Sequence, residues 1–147
     1  MKYNLTYTHF DELLASSVNP FPVEKQTYFL TRIYEALDAI TAEPDIENWR
    51  TLADVINLLS TLVEDMDVLE DTENTIQRAK DVIRKAFESN NRSLTAVDSG
   101  IIQELVASLE EAVQKLPERT VIKAHRLTEK RVQSILNGNR QHGDIVI

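Results

Sequence analysis

Residues 45–64 read DIENWRTLADVINLLSTLVE, and this stretch predicts the centre of an all-helical fold. Asp45 is a good N-cap residue for a helix that begins after it. Apolar residues recur every three or four positions and cover two sides of that helix, as expected for an element that is contacted from both sides. The first set comprises Ile46, Trp49, Leu52, Ile56, Leu59 and Val63, and the second comprises Val55, Leu58 and Leu62.

Three further segments carry a single apolar stripe at helical spacing. Because buried aliphatic side chains offset the chain entropy only in a shared core, these segments predict a compact bundle around the central helix. Pro22 suits a first helical turn, and Thr95 with Asp98 three residues later suggests a capping box. The expected boundaries are Pro22 and Pro44, Asp71 or Thr72 and Asn90-Asn91, and Thr95 and Pro117.

The fold class predicted for the chain is therefore all-α, a compact four- to five-helix bundle with short extended N- and C-terminal segments. We expect one domain over 1–147, with an N-terminal arm (1–20), an acidic helical body (21–116) and a basic C-terminal helix and tail (117–147). Alternation in Lys2–Thr8 indicates a strand-like arm, and 144–147 has an extended pattern. Both extended pieces are expected outside the bundle.

Charge is distributed unevenly along the chain. Residues 1–116 hold ten Lys/Arg against twenty-one Asp/Glu, a balance of −11, whereas residues 117–147 hold six against three, a balance of +3. An acidic body repels nucleic acid, so contact with DNA is possible only through the basic tail. The absence of cysteine fits a cytoplasmic protein, and the sequence shows neither a secretory signal nor an apolar run long enough for a membrane span.

The sequence contains no recognisable motif for catalysis or cofactor binding. Three scattered glycines cannot form a P-loop or a dinucleotide-binding turn. The histidines, His9, His125 and His142, are far apart, and we expect His125 to be a half-exposed helical residue. The acidic run from Glu64 to Glu73 lacks the glycine of an EF-hand loop and is interpreted as a solvated loop. We therefore predict no enzymatic activity, no cofactor and no metal.

The aromatic residues Tyr28, Tyr34 and Trp49 lie at helical positions compatible with the core or rim of the bundle. If several of them were exposed together, they would mark a patch that binds a partner, because Tyr and Trp anchor interfaces.

Residues 121–140 read VIKAHRLTEKRVQSILNGNR and resemble the helix-turn-helix of phage-repressor-like regulators. Ala124 would be the small residue of the first helix, Leu127 the apolar residue of the turn and Thr128 the N-cap of the second helix. The resemblance implies base contacts early in the second helix and phosphate contacts around it. The candidate nucleic-acid contacts are Lys123, Arg126, Lys130, Arg131, Gln133 and Arg140.

A continuous helix from about Glu118 to Asn137 is the alternative that the residues favour. Arg126 occupies the position where the turn of that family usually carries glycine, and few residues remain beyond Arg140 for further helices. An inward stripe is expected from the apolar residues, and Gly138 is expected to end the helix. The stripe comprises Val121, Ala124, Val132, Ile135 and Leu136.

Trp49–Ala53 and Ala124–Glu129 also resemble segments of small helical proteins encoded by prophages and mobile elements. That resemblance implies a protein that acts by binding, as an inhibitor or regulator of a host protein. We therefore expect a non-enzymatic protein-protein interaction module with a protein partner of unknown identity and a possible homodimer. A sequence-specific DNA-binding regulator that uses 121–140 is the alternative.

Overall fold

The structure is a computed structural model that describes residues 19–42, 45–88, 94–139 and 143–147. Helix is the only regular secondary structure in these ranges, and it forms five α-helices with one short 3-10 turn, Glu70–Thr72, before the third. The predicted strand-like arm, Pro44, Asn90-Asn91 and Arg140 lie outside the described residues. The helices are α1 (Val23–Ala42), α2 (Ile46–Glu64), α3 (Glu73–Glu88), α4 (Ala96–Lys115) and α5 (Glu118–Leu136).

Local sequence explains where the helices begin and end. The Asp45 carboxylate accepts a hydrogen bond from the Glu47 amide, and the Thr95 hydroxyl accepts one from the Asp98 amide. Both N-caps were predicted, and both satisfy an amide at the helix start that has no partner within the helix. Gly138 follows α5 with a φ of +97°, a left-handed conformation that glycine adopts without strain.

Helix α2 lies at the centre, as its two apolar sides predict, and contacts the other four helices. Helices α1, α4 and α3 follow one another around it, and α5 packs against a further side of α2. Trp49, Leu52, Ile56 and Leu59 are fully buried. Ile46, at the start of the same pattern, is exposed because α2 has only just entered the core at that point.

Because α2 is surrounded, its polar residues are buried as well and need partners inside the protein. The Thr61 hydroxyl lies 2.7 Å from that of Thr128, so that α2 and α5 share a hydrogen bond where they cross. The carboxamide of Asn57 also bonds with the main chain of Ile145. Burial of α2 therefore aligns α5 and the last residues of the chain by hydrogen bonds as well as by apolar contact.

Residues 118–136 form one continuous helix, as the favoured interpretation predicts. The helix-turn-helix expectation over 121–140 is wrong in its geometry, because Ala124, Leu127 and Thr128 all lie within that helix. The Thr128 hydroxyl donates a hydrogen bond to the Ala124 carbonyl, four residues back within the same helix, and so does not cap a second helix.

Residues 144–147 were expected outside the bundle, and this expectation is also wrong. Helices α3 and α5 barely touch each other, and the segment 143–147 lies in the seam between them. Asp144 and Ile145 are buried, and Ile145 belongs to the main hydrophobic core. The segment therefore completes the core, although it has no regular secondary structure.

Two other expectations for α5 need correction. Leu136 was placed on the inward stripe but is largely exposed, because the helix ends there and the core lies behind it. His125 was expected to be half-exposed but is buried, with its ring edge-on to Phe29 of α1 at 5.5 Å between centroids. The imidazole thus fills space between α1 and α5.

Candidate interaction site

The outward side of α5 carries a narrow row of basic residues. Arg119, Lys123, Arg126 and Lys130 are spaced by four, three and four positions and are all exposed. At about 100° per residue they fall within an arc of roughly 60°, and at 1.5 Å per residue they extend over about 16 Å. We refer to these four residues as the cationic stripe.

Three residues of the cationic stripe differ from the other exposed bases in their ion pairing. Each exposed base of α3 and α4 within the described ranges has a carboxylate within 4.0 Å, and Lys25 of α1 pairs with Glu118. Arg119, Lys123 and Lys130 have no ion pair within the part of the chain that the structure describes. On a protein of net charge −8, unpaired positive charge is therefore concentrated on one side of one helix.

Arg131 lies on another side of α5 and is buried in an ion cluster. Its Nε and Nη2 atoms bond to the two oxygens of Asp144 at 2.7 and 2.9 Å. The same guanidinium reaches Glu64 at 2.8 Å and Asp65 at 3.2 Å. The proposed role of Arg131 in reading bases is therefore wrong, because its buried guanidinium makes four hydrogen bonds to carboxylates of the protein itself.

Lys80 of α3 lies beside this cluster and is also buried. Burial lowers the pKa of its ammonium group, while the negative charges of Asp144 and Glu64 act in the opposite direction. The neighbouring Arg131, held among carboxylates, has a raised pKa, although burial alone would lower it. The cluster places opposite charges next to one another and so links α2, α3 and α5 to the segment 143–147.

Three side chains bind the segment 143–147 much as a receptor binds an extended peptide. Asn57 donates to the Ile145 carbonyl and accepts from the Ile145 amide, both at 2.8 Å. Arg131 binds the Asp144 carboxylate, and Arg50 donates to the main-chain oxygen of Ile147 at 2.9 Å. A shallow groove of about 240 Å³ remains beside the segment, lined by Ile83, Arg84 and Phe87.

A second exposed surface lies on α1. Val23 and Tyr28 are 74% and 73% exposed, and Tyr34 is 39% exposed. Val23, Thr27, Thr31 and Tyr34 follow one side of α1 and, with Leu30, line an open groove of about 300 Å³ against α4. We call Val23, Thr27, Tyr28, Thr31 and Tyr34 the α1 face.

Tyr34 is held in place on the α1 face by a bond to α4. Its hydroxyl donates to Glu110 at 2.8 Å. Partial burial and this carboxylate raise the pKa of the Tyr34 hydroxyl above 10.0. The expectation that the aromatics belong to the core or rim is correct for Trp49, which is fully buried, and wrong for Tyr28, which projects from α1.

Within the described ranges, no group of three or more His, Asp or Glu side chains is arranged to hold a metal ion. In the same ranges, none of the helices has the length and apolar character needed to cross a membrane.

The structure brings four of the six candidate nucleic-acid contacts onto one side of α5: Lys123, Arg126, Lys130 and, three residues further, Gln133. Arg131 points away from that side, and Arg140 lies outside the described residues. Sequence reasoning missed Arg119, which shares the spacing, and Asn57, which binds the segment 143–147. Asn57 could have been found from the sequence, because it is a polar residue within a helix that the apolar pattern predicts to be buried on two sides.

Comparison of the sequence with protein-family models finds no match, and comparisons with curated proteins and with solved structures find none either.

Proposed function

We propose that the protein is a non-enzymatic interaction module that binds a partner protein through the α1 face. The observation that carries this proposal is the exposure of Tyr28 and Val23, each nearly three-quarters open to solvent on the same helix. Large apolar side chains that project singly are common, but Val23 lines a groove together with a second tyrosine, Tyr34. Tyr28 lies one helical turn from Thr31, which lines the same groove. Tyrosine is also among the residues that contribute most to binding at protein interfaces.

The α1 face is held rigidly, which favours binding. Tyr34 is oriented by Glu110, and Gln26 at the edge of the groove donates to the Phe21 carbonyl at 2.7 Å. Lys25 bonds to Glu118 at 3.0 Å and so joins α1 to α5. A surface whose side chains are already ordered loses less conformational entropy when a partner docks.

Inhibition or regulation of a host protein is the role we propose for such binding, on the basis of the resemblance to prophage-encoded helical proteins. A second copy of the chain is the alternative partner. A sequence-specific reader of duplex DNA is not proposed, because α5 is a single helix and Arg131 is engaged in the interior.

Site-directed photocrosslinking tests the proposal. A photoreactive phenylalanine derivative is placed at Tyr28 in the full chain, and the same residue is placed at Val97 as a control. Val97 is 76% exposed but lies at the start of α4, away from the α1 face. In a bacterial lysate we expect a discrete crosslinked product from position 28 and none from position 97.

The same product should disappear when Val23→Asp and Thr31→Asp are added to the probe at position 28. A product at twice the mass of the chain would identify a second copy as the partner. Equal products from positions 28 and 97, or none from position 28, would contradict binding through the α1 face.

A further inference from the structure

We propose that the cationic stripe of α5 receives an acidic helical segment of a partner protein. This inference rests on the proposed function in that it assumes a protein partner. It adds a second contact surface and the chemistry of the segment that fits there. The cationic stripe is separate from the α1 face, and each can be tested without the other.

Charge complementarity is the first argument. Helix α5 holds five Arg/Lys and two Asp/Glu, whereas the whole chain has a net charge of −8. Within the described residues, bases on α3 and α4 are matched by nearby acids, but Arg119, Lys123 and Lys130 are not. A partner with carboxylates at this surface supplies the missing counter-charges.

The geometry of α5 favours a helix as the partner segment. The four cations follow one straight helix at spacings of four, three and four. Acidic residues at the same spacing on a second helix laid alongside would face them in register, as flanking charges do in paired helices. The stripe is a ridge about 16 Å long, so a segment of about three turns is sufficient to cover it.

A nucleic-acid duplex fits the same surface less well. Duplex DNA carries one negative charge per roughly 1.7 Å of its axis, so it would meet the acidic body of the protein beyond the ends of α5. A short segment with a few carboxylates contacts the cations without approaching the rest of the acidic surface.

The stripe is held rigidly by the inward side of α5. Arg131 is bonded to Asp144, and Thr128 is bonded to Thr61 of α2. The cations therefore project from a fixed backbone, and binding requires ordering of their side chains alone. Ion pairs between exposed groups are individually weak and screened by salt, so the stripe orients and accelerates docking more than it adds affinity.

A titration with a designed peptide tests this inference on the full chain. The peptide is a capped, alanine-rich helix of about sixteen residues with four glutamates at spacings of four, three and four. Its control has the same composition with the glutamates distributed around the helix. Binding is followed by backbone amide shifts in NMR spectra of the labelled protein at low ionic strength.

We expect shifts confined to α5 and a dissociation constant of about 1 mM, as weak exposed ion pairs allow. The control peptide should bind at least about threefold more weakly. Lys123→Glu with Lys130→Glu should abolish the shifts. Arg78→Glu with Arg84→Glu on α3, which changes the net charge equally, should leave the constant within about twofold.

Three outcomes would overturn the proposal. The α3 variant could lose binding as fully as the α5 variant, which would show that net charge alone is responsible. The control peptide could bind as tightly as the designed one. A sixteen-base-pair DNA duplex could bind more tightly than the peptide at the same salt, which would assign the stripe to nucleic acid. Circular dichroism verifies that both variants remain folded. The crosslinking experiment at position 28 tests a different surface, so its result does not depend on any of these outcomes.

Discussion

Arg131 and Asp144 form a two-pronged ion pair in the interior, with the guanidinium at 2.7 and 2.9 Å from the two carboxylate oxygens. The Asp144 side chain is completely removed from solvent, whereas Glu64 and Asp65, the other partners of Arg131, are partly exposed. The interior partner therefore depends on Arg131 far more than the two outer carboxylates do, because those two can be hydrated instead.

Replacement of Arg131 should accordingly be costly. Arg131→Met leaves a buried carboxylate with its main counter-charge removed, and we expect a loss of about 3–5 kcal/mol in the free energy of unfolding. Arg131→Met with Asp144→Leu should recover at least half of that loss, because the stranded charge is removed. Urea denaturation of the two single variants and the double variant measures both terms. A double variant no more stable than Arg131→Met would show that the pair is not coupled.

The burial of Lys80 predicts a dependence of stability on alkaline pH. Because its pKa in the folded protein is lowered from 10.5, the unfolded chain binds more protons than the folded chain between the lowered value and 10.5. The free energy of unfolding contributed by this group therefore rises with pH across that window. Tyr34 acts oppositely above pH 10.0, where its raised pKa keeps a proton on the folded protein.

Lys80→Met should remove the rise due to Lys80. We expect the stability of the wild type relative to Lys80→Met to increase from neutral pH to about pH 10, as measured by urea denaturation at several pH values. Lys85→Met is the matched control, since Lys85 belongs to the same helix and is exposed. If the stability of the wild type relative to Lys85→Met rose with pH by as much, Lys80 would not be the source of the rise.

Asn57 should be essential for attachment of the segment 143–147. Asn57→Ala removes both hydrogen bonds to Ile145 and leaves a buried amide and carbonyl without these partners, at a cost of about 2–4 kcal/mol. Amide hydrogen exchange at Ile145 should accelerate more than exchange in the middle of α2. Exposed Gln133→Ala should change neither quantity. Unchanged protection of Ile145 in Asn57→Ala would refute this role.

Leu59 provides a test of the central position of α2. It is fully buried, and Leu59→Ala should lower the free energy of unfolding by about 2–5 kcal/mol, because it removes apolar contacts and leaves a cavity. Val97→Ala, at an exposed position, should cost less than about 0.5 kcal/mol. Chemical denaturation of both variants distinguishes them, and a cost below about 1 kcal/mol for Leu59→Ala would contradict a central α2.

The sequence predicted what depends on local periodicity and capping. The apolar residues on two sides of α2, the Asp45 and Thr95 caps and Gly138 after α5 all have the roles that their neighbours in sequence indicate. The single apolar stripe predicted for α3 is also observed, with the charged residues of the helix on its exposed side, apart from Lys80.

What the sequence did not reveal depends on contacts between distant parts of the chain. Arg131 was assigned to DNA through its position in the helix-turn-helix resemblance, and its true partner, Asp144, lies beyond the end of α5. Asn57 and Ile145 are 88 positions apart, and no periodic pattern links them. The exposure of Tyr28, by contrast, could have been derived from helical phase, because Tyr28 lies roughly 140° around α1 from the centre of its buried side.

The position of Ile145 between α3 and α5 also determines the order in which parts of the core form during synthesis on the ribosome. Helices α1 to α4 can leave the exit tunnel and associate first. The carboxamide of Asn57 gains its main-chain partner only when Ile145 has also left the tunnel. Nascent chains that stop short of that residue keep part of the central helix uncovered and stay open to chaperones. The core around Asn57 can therefore close only after Ile145 has left the tunnel, which is later than the first association of α1 to α4.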